Sequence, residues 1–461
     1  MVQQPSRREF LKRAAAASVG AAALCRNVFA FRRFSCVVIG AGLSGLSAAV
    51  ALQKAGWSVT VIDARDRIGG RVLSYSFAER PNLVCELGGE WIGESHERMK
   101  AHCHDLGLEL KEHRFQTSLM RNGRVSQPGQ WDFSKPAQDG FEKLRKRYHK
   151  LNDAQKLHLD NVDWWTCLEG AGFTEDDLLL RDLQDSTDFG ESIRHVSAYA
   201  AASEYFESSP ANEMDFKLVG GNSKLPIALA KQIGQANINL GLKVSSITQR
   251  GGRVRVVAGG RSFDADACIC TVPARVLNHI VFDPPLPALQ SQAAQQLQYA
   301  RIIKNSVLFS ERFWKAEDFS LVSDVTSHYY FHSTKNQSDA NGILCSYAIG
   351  EKADILASQD DQRRMEIVTS DLNSLEARSG TLARSIKSYA WQRDPLVEGA
   401  YAVYRPGQWF GIRPILQRPH GKVLFAGEHL ADWQGFMEGA VVTGEAAAKA
   451  LTEPKRRRRI A

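Results

Sequence analysis

From Phe34 onward the apolar and polar positions fall into distinct textures. A short β-branched run over 36–39 ends in glycines, apolar residues then recur at helical spacing over 43–55, Gly56 stops that helix, and 58–62 reads as a second strand. The pattern predicts a strand–helix–strand unit of about thirty residues with Gly40, Gly42 and Gly45 at its first turn. Residues 97–214 are charged and aromatic-rich, and predict helices. GGNSKLP at 220–226 predicts a glycine turn leading into a helix with Pro226 near its start. KVSSITQRGGRVRVVAGGRSFDADACICTVP predicts strands broken at the glycine pairs beginning at 251 and 259, a meander whose last strand is buried. Cys268 and Cys270 alternate along that last strand, which points both thiols to one side and into the core. A mixed region over 276–395 precedes a strand at 422–427 and a final helix over 436–451. There is no internal repeat and no long low-complexity linker, so the dinucleotide-type lobe is assembled from separated stretches with another lobe inserted between them.

Composition sharpens this picture only at the ends. The chain has 461 residues, 44% hydrophobic, which is ordinary for a globular protein of two or three lobes. Its net charge of +7 comprises +4 within residues 1–30 and +4 within 453–461, leaving about −1 for the body. A folded nucleic-acid-binding face is therefore not expected, and the PKRRRR tail reads as a solvated terminus, with acidic lipid or nucleic acid as the alternative contact. Eight cysteines in a chain of this size do not make a disulfide framework, and no CxxC pair or His/Cys cluster has metal-ligand spacing, so no metal site is expected.

At the N-terminus a basic region is followed by an apolar, alanine-rich segment over 14–24 and then Val28-Phe29-Ala30. Eleven residues at about 1.5 Å each do not cross a ~30 Å hydrocarbon core, so no stable membrane span is expected. The order Ser-Arg-Arg-x-Phe-Leu-Lys over 6–12 resembles a twin-arginine export signal, with a short amphipathic helix or retained anchor as the alternative.

The glycine turn carries chemistry. Gly40 permits the tight turn, Gly42 lets backbone approach a pyrophosphate, and Gly45 lets helix and strand pack closely. The helix N-terminus, with Ser44 in its first turn, offers free N–H groups and a positive dipole end to phosphates. Asp63 closes the second strand, where a carboxylate can accept hydrogen bonds from a ribose diol. In the following ARDRIGGR, Arg65 and Arg71 suit bidentate pairing with a pyrophosphate, the alternative being surface ion pairs, and the glycines Gly69 and Gly70 permit a close approach to a flat cofactor.

Seven stretches together resemble the flavin-containing amine oxidase family, which includes monoamine, polyamine and L-amino acid oxidases. They are GAGLSG, DARDRIGGR, ELGGEWIG at 86–93, GGNSKLP, YARIIKNSVLF, WQRDPLVEGAY and GEHLADWQGFMEGA, and in order they cover nearly everything from 34 to 452. The resemblance implies an α/β fold: a discontinuous Rossmann-like FAD-binding domain (31–96, 215–275 and 396–452) with an inserted α+β substrate-binding domain (97–214 and 276–395). Residues 1–30 would be the twin-arginine signal peptide and 453–461 a basic tail. It implies FAD rather than NAD at the glycine turn, and oxidative deamination of an amine with oxygen as acceptor, giving an imine or aldehyde, ammonia or amine, and hydrogen peroxide.

By the same resemblance, Gly88 and Gly89 bring backbone beside the reactive ring, Glu90, Trp91 and Val244 join the cofactor set, and Trp91 packs on flavin or lines the substrate pocket. Glu428 would hold the ribityl or phosphate region, and the N–H of Met437 would face the pyrimidine edge of the flavin. Lys304 corresponds to a lysine that holds a water near flavin N5 and assists reoxidation; within an apolar run its burial would depress its pKa and demand a positioned partner. Tyr401 and Phe436 align with two aromatics that flank the substrate amine and exclude water. Ala400 stands where some relatives carry a flavin-linking cysteine, which implies non-covalent FAD.

No arginine follows the glycine pair in GGEWIG, which favours an amine lacking an α-carboxylate. The rivals are an L-amino acid oxidase whose carboxylate contact comes from Arg194 or Arg98, a dehydrogenase passing electrons to a carrier protein, and a flavin-binding module without turnover. FAD is made in the cytoplasm and bound only by folded protein, so a folded-protein exporter fits the signal. The chain is then expected in the periplasm from about residue 31, with a homodimer among the assemblies left open.

Overall fold

The computed structural model describes residues 33–453, so the export-signal and basic-tail readings lie outside the described residues. The first strand, Ser35–Ile39, is buried over its last four positions, as expected for a parallel strand covered on both faces. It lies at the centre of a five-stranded parallel sheet ordered Val423–Phe425, Ala267–Cys270, Ser35–Ile39, Ser58–Ile62 and Ile238–Asn239. The helix between the first two strands runs Leu43–Lys54, and Gly56, at φ +84°, follows its end. The last helix, Met437–Thr452, packs directly on it. A Cβ at Gly444 would lie 2.1 Å from the Ser44 carbonyl oxygen, so only glycine allows that approach.

The predicted meander divides between two sheets. Val244–Arg250, Arg253–Ala258 and Arg261–Ala265 join Val281–Asp283 in a four-stranded sheet that packs on the opposite face through Ile247, Val254 and Val256. The chain then crosses to the parallel sheet at Ala267–Cys270, where all four residues are buried and every backbone group can pair on both sides.

The intervening region is not helical throughout. Gln116–Arg121 and Arg124–Ser126 form one edge of a seven-stranded sheet continued by Phe319–Ser323, Tyr329–His332, Gly342–Ile349, Ile302–Phe309 and Ala383–Ala390. The strands 116–126 carry polar, charged residues in short runs, which mimic the helical texture around them. True helices do follow, among them Lys135–Tyr148, Glu175–Phe189 and Ala198–Glu207, packed round Trp164, Leu168, Phe189 and Phe206. Among the described residues no helix is long and apolar enough to cross a membrane.

Candidate active site

The carboxyl ends of the parallel strands open onto a cavity of about 300 Å³, far more than a bound water needs. Every residue assigned to the site from sequence lines it except Gly45. A Cβ at Gly45 would sit 1.9 Å from the Gly40 carbonyl oxygen, so this glycine closes helix onto strand. Gly40 has φ +109°, and a side chain there would strike Thr271 Oγ1 at 2.2 Å. Gly42 and Gly69 pair in a one-residue parallel bridge, and a Cβ at Gly70 would come 3.3 Å from the Gly42 Cα. Two glycine turns thus form one narrow cradle. Ser44, buried in the first turn of the helix, has no hydrogen-bond partner for its Oγ among the described residues. The Asp63 carboxylate accepts from Ala41 N at 2.6 Å and Arg65 N at 2.8 Å, which fixes the loop; burial pushes its pKa above the usual carboxylate range. Buried Val244 forms part of the wall.

The two arginines read as pyrophosphate ligands reach the cavity already engaged. Arg65 Nη2 is 2.7 Å from Asp394 and Arg71 Nη1 is 2.6 Å from Glu428, which also accepts from Gly435 N at 2.8 Å. Their planar groups are thereby held in place against the cavity by acids from the far end of the chain. Gly89 gives room to Met437, whose Cγ and Sδ would lie 3.2 Å from a Cβ there.

Lys304 projects from Ile302–Phe309, a strand buried at all eight positions. Its ammonium donates to Glu90 Oε2 at 2.8 Å, Gly88 O at 2.9 Å and, more weakly, Glu86 O at 3.4 Å. These acceptors occupy all three N–H groups, so a water can replace only the longest contact. The Glu90 carboxylate, assigned to the cofactor from sequence, instead turns to Lys304, to Lys217 at 3.1 Å and to His113 at 3.1 Å. Burial opposes its ionisation, but Lys217, Lys304 and the His113 hydrogen bond outweigh this and hold it well below the usual carboxylate range. Burial keeps His113 neutral, at about 4. Glu86, bonded by Asn222 N and Ser74 Oγ, is pushed up to about 7, chiefly by burial.

Trp91 lines the cavity with its ring 5.1 Å from that of Phe331 and its Nε1 unpartnered among the described residues, while the Lys304 ammonium lies 5.7 Å over its face. Tyr401 follows Ala400 through a cis peptide. Its hydroxyl donates to the Asp188 carbonyl oxygen and lies 3.4 Å from that of Tyr347, the cross-strand neighbour of Lys304. Gly435 leaves space for the Tyr401 ring, and adjacent Phe436 packs edge-on against His96 at 5.1 Å and Trp433 at 5.9 Å. Asp188, Glu204, Tyr329 and Tyr347 complete this end of the cavity and were not found from sequence. For Glu204 the one available signal was an acid within the alanine-rich run AYAAASEYFE. Neither Arg98, paired with Glu445, nor Arg194, stacked over Trp165, lines the cavity, so neither can contact substrate there.

The family model described as flavin containing amine oxidoreductase matches residues 43–452. The L-amino-acid oxidase of Gloydius halys is 26% identical across 90% of this chain and 88% of its own length, and that of Pseudechis australis is 26% identical across 90% and 86%. Cyclohexylamine oxidase from Brevibacterium oxydans IH-35A superposes with a TM-score of 0.81 at 24% identity, covering 91% of this chain and 99% of that one. Wild-type putrescine oxidase bound to putrescine gives 0.80 at 22% identity, with the same coverage. These structural likenesses establish the fold.

Proposed function

Because the chain belongs to the flavin-containing amine oxidoreductase family, with FAD as its cofactor, we propose that it oxidatively deaminates an amine with oxygen as acceptor, giving an imine or aldehyde, ammonia or amine, and hydrogen peroxide. The observation that carries this reading is Lys304, a cation fixed by Glu90 and the Gly88 carbonyl at the wall of the glycine-cradled cavity.

The residues present fit FAD: Gly42 and Gly70 put no side chain into the cradle, and buried Ser44 Oγ has no partner among the described residues. Gly42, Ser44, Asp63 and Arg65 would hold it from one side, with Arg71, Glu428 and the Met437 N–H from the other. Bound there, FAD supplies a two-electron acceptor for the amine and a two-electron donor to oxygen. Ala400 offers no nucleophile, so attachment is non-covalent. Tyr401, Phe436 and Tyr347 exclude water and orient a neutral amine, which is the form able to yield its α-hydrogen. Lys304 assists oxygen reduction by presenting a fixed positive charge at the Gly88 turn, with the one N–H of its longest contact, to Glu86 O, able to turn to a water.

The relatives named L-amino-acid oxidases make an α-amino acid the second reading. Against it, the arginines on the cavity wall are Arg65 and Arg71 among the described residues, and both face its glycine-cradle end in ion pairs. We further propose export by the twin-arginine machinery to the periplasm, on the strength of SRREFLK at 6–12.

The test mixes purified holoenzyme anaerobically with amines, polyamines and L-amino acids while flavin absorbance is followed, then admits oxygen and measures peroxide. Bleaching followed by peroxide is expected with an amine. No bleaching with any member removes the proposal, and bleaching without peroxide replaces it with a carrier-linked dehydrogenase. Lys304→Met should slow reoxidation more than bleaching; the opposite split would overturn the role given to Lys304.

A further inference from the structure

Glu86 is a buried acid that amine oxidation as described above does not use. It ends the strand Arg80–Glu86 fully buried, and its cross-strand neighbour Ser74 donates from Oγ to Oε2 at 2.8 Å, while Asn222 N donates to Oε1 at 2.9 Å. Ser74 Oγ in turn accepts from Ser223 N at 3.0 Å, and both serines are only half-buried. A hydroxyl has one donor and two acceptor sites, so Ser74 serves Glu86 in either protonation state and links it towards water.

On the cavity side the charges form a line. Lys217, on Phe216–Leu218, donates to Glu90 Oε1 at 3.1 Å and to Ser333 O at 3.0 Å. One of its N–H groups is thus uncommitted among the described residues, and Glu86 is the other carboxylate whose charge acts on it. The opposite oxygen of Glu90, Oε2, accepts from Lys304, so a proton taken up on Oε1 can leave from Oε2. Lys304 ends the line at the cavity wall, its longest contact being the Glu86 carbonyl oxygen at 3.4 Å.

We propose that Glu86 supplies, through Lys217, Glu90 and Lys304, the proton that oxygen reduction consumes; this rests on the amine-oxidase reading. Each hydrogen peroxide needs two electrons and two protons. The α-hydrogen leaves the neutral amine as hydride, which carries both electrons and one proton, so the second proton has another source. A Lys304 N–H bond breaks as a peroxide O–H forms, Lys217 restores that proton across Glu90, and Glu86 restores Lys217. Water refills Glu86 through Ser74, and the cluster is left as it began. Burial raises the pKa of Glu86, Lys217 opposes this, Glu90 adds to it, and the Asn222 and Ser74 hydrogen bonds lower it again, leaving about 7. Glu86 therefore carries its proton below that pH and lacks it above. The other titratable neighbours do not change over this range: burial keeps His113 neutral, at about 4, and the Cys85 thiol protonated, at about 12.

The experiment follows reoxidation of the reduced holoenzyme by oxygen in stopped flow from pH 6 to 8.5, in H2O and in D2O. Wild-type reoxidation should fall about tenfold or more across that range and run about twofold slower in D2O at pH 6. Glu86→Gln has the charge of the protonated carboxyl but no proton to give. It should be slow at every pH, as the wild type is at pH 8.5, with anaerobic bleaching within about threefold of wild type. If the variant is instead as fast at every pH as the wild type at pH 6, Glu86 acts by charge alone and the proposal falls; an unchanged pH profile also overturns it. A flat wild-type profile does so without any variant. In the oxidised protein, the infrared carbonyl band of a protonated carboxyl lost on Glu86→Gln should titrate near 7, a readout independent of turnover; no such loss at pH 6 overturns the proposal. Failure of every amine to yield peroxide would instead remove the reading on which it rests.

Discussion

Glu90→Gln tests the ion cluster that holds Lys304. In the wild type two acids, Glu86 and Glu90, face two ammonium groups, Lys217 and Lys304, and all four side chains are more than nine-tenths buried. The amide keeps the shape of Glu90 but removes its charge, leaving two buried cations against one acid. Breaking a buried pair by removing one partner costs about 3–5 kcal/mol, because the remaining charge stays desolvated. For a chain of this length that corresponds to a fall in unfolding midpoint on the order of 3–5 °C. Lys304→Met in the same chain restores the balance, so the double variant should recover at least half of the loss, a coupling that independent sites would not show. The assay is thermal unfolding of holoenzyme followed by circular dichroism and by release of flavin fluorescence. Flavin reoxidation in the single variant should also slow, since Lys304 loses its 2.8 Å anchor. A midpoint within 1 °C of wild type, or a double variant no better than the single, would refute the view that charge compensation fixes Lys304.

Glu428→Ala removes both the partner of Arg71 and the acceptor for Gly435 N, and should weaken FAD retention by about 10- to 100-fold, read by dialysis against apoenzyme titration. Gly45→Ala forces a methyl group to within 1.9 Å of the Gly40 carbonyl oxygen, so the helix must shift; the expected result is flavin-poor protein, and full flavin content would contradict the packing role. Asp188 has a folded-state pKa raised to about 7 from an ordinary 3.8, so between those values the native state binds more protons than the unfolded chain. Its contribution to stability therefore falls as pH rises through that window. The substrate-free holoenzyme should lose midpoint from pH 5 to 7.5, and Asp188→Asn should flatten the slope.

What could be read from the sequence was what is encoded locally. The turn from Gly40 to Gly45 and the helix that follows depend on residues a few positions apart, and the predicted helix over 43–55 differs from Leu43–Lys54 by one residue. The strands within 116–126 are not legible because runs of six and three residues carry too little period to separate from helix. The contacts that set the chemistry are non-local: Arg71 meets Glu428 across 357 positions and Lys304 meets Glu90 across 214. Resemblance could name each of these residues without revealing that they neutralise one another. Glu204 shows the same limit from the other side. In AYAAASEYFE an isolated acid reads as the solvated edge of a helix, because helix period says which residues share a face but not what covers it. Only the placement of Tyr401 and Tyr347 against that face makes the acid part of a cavity wall.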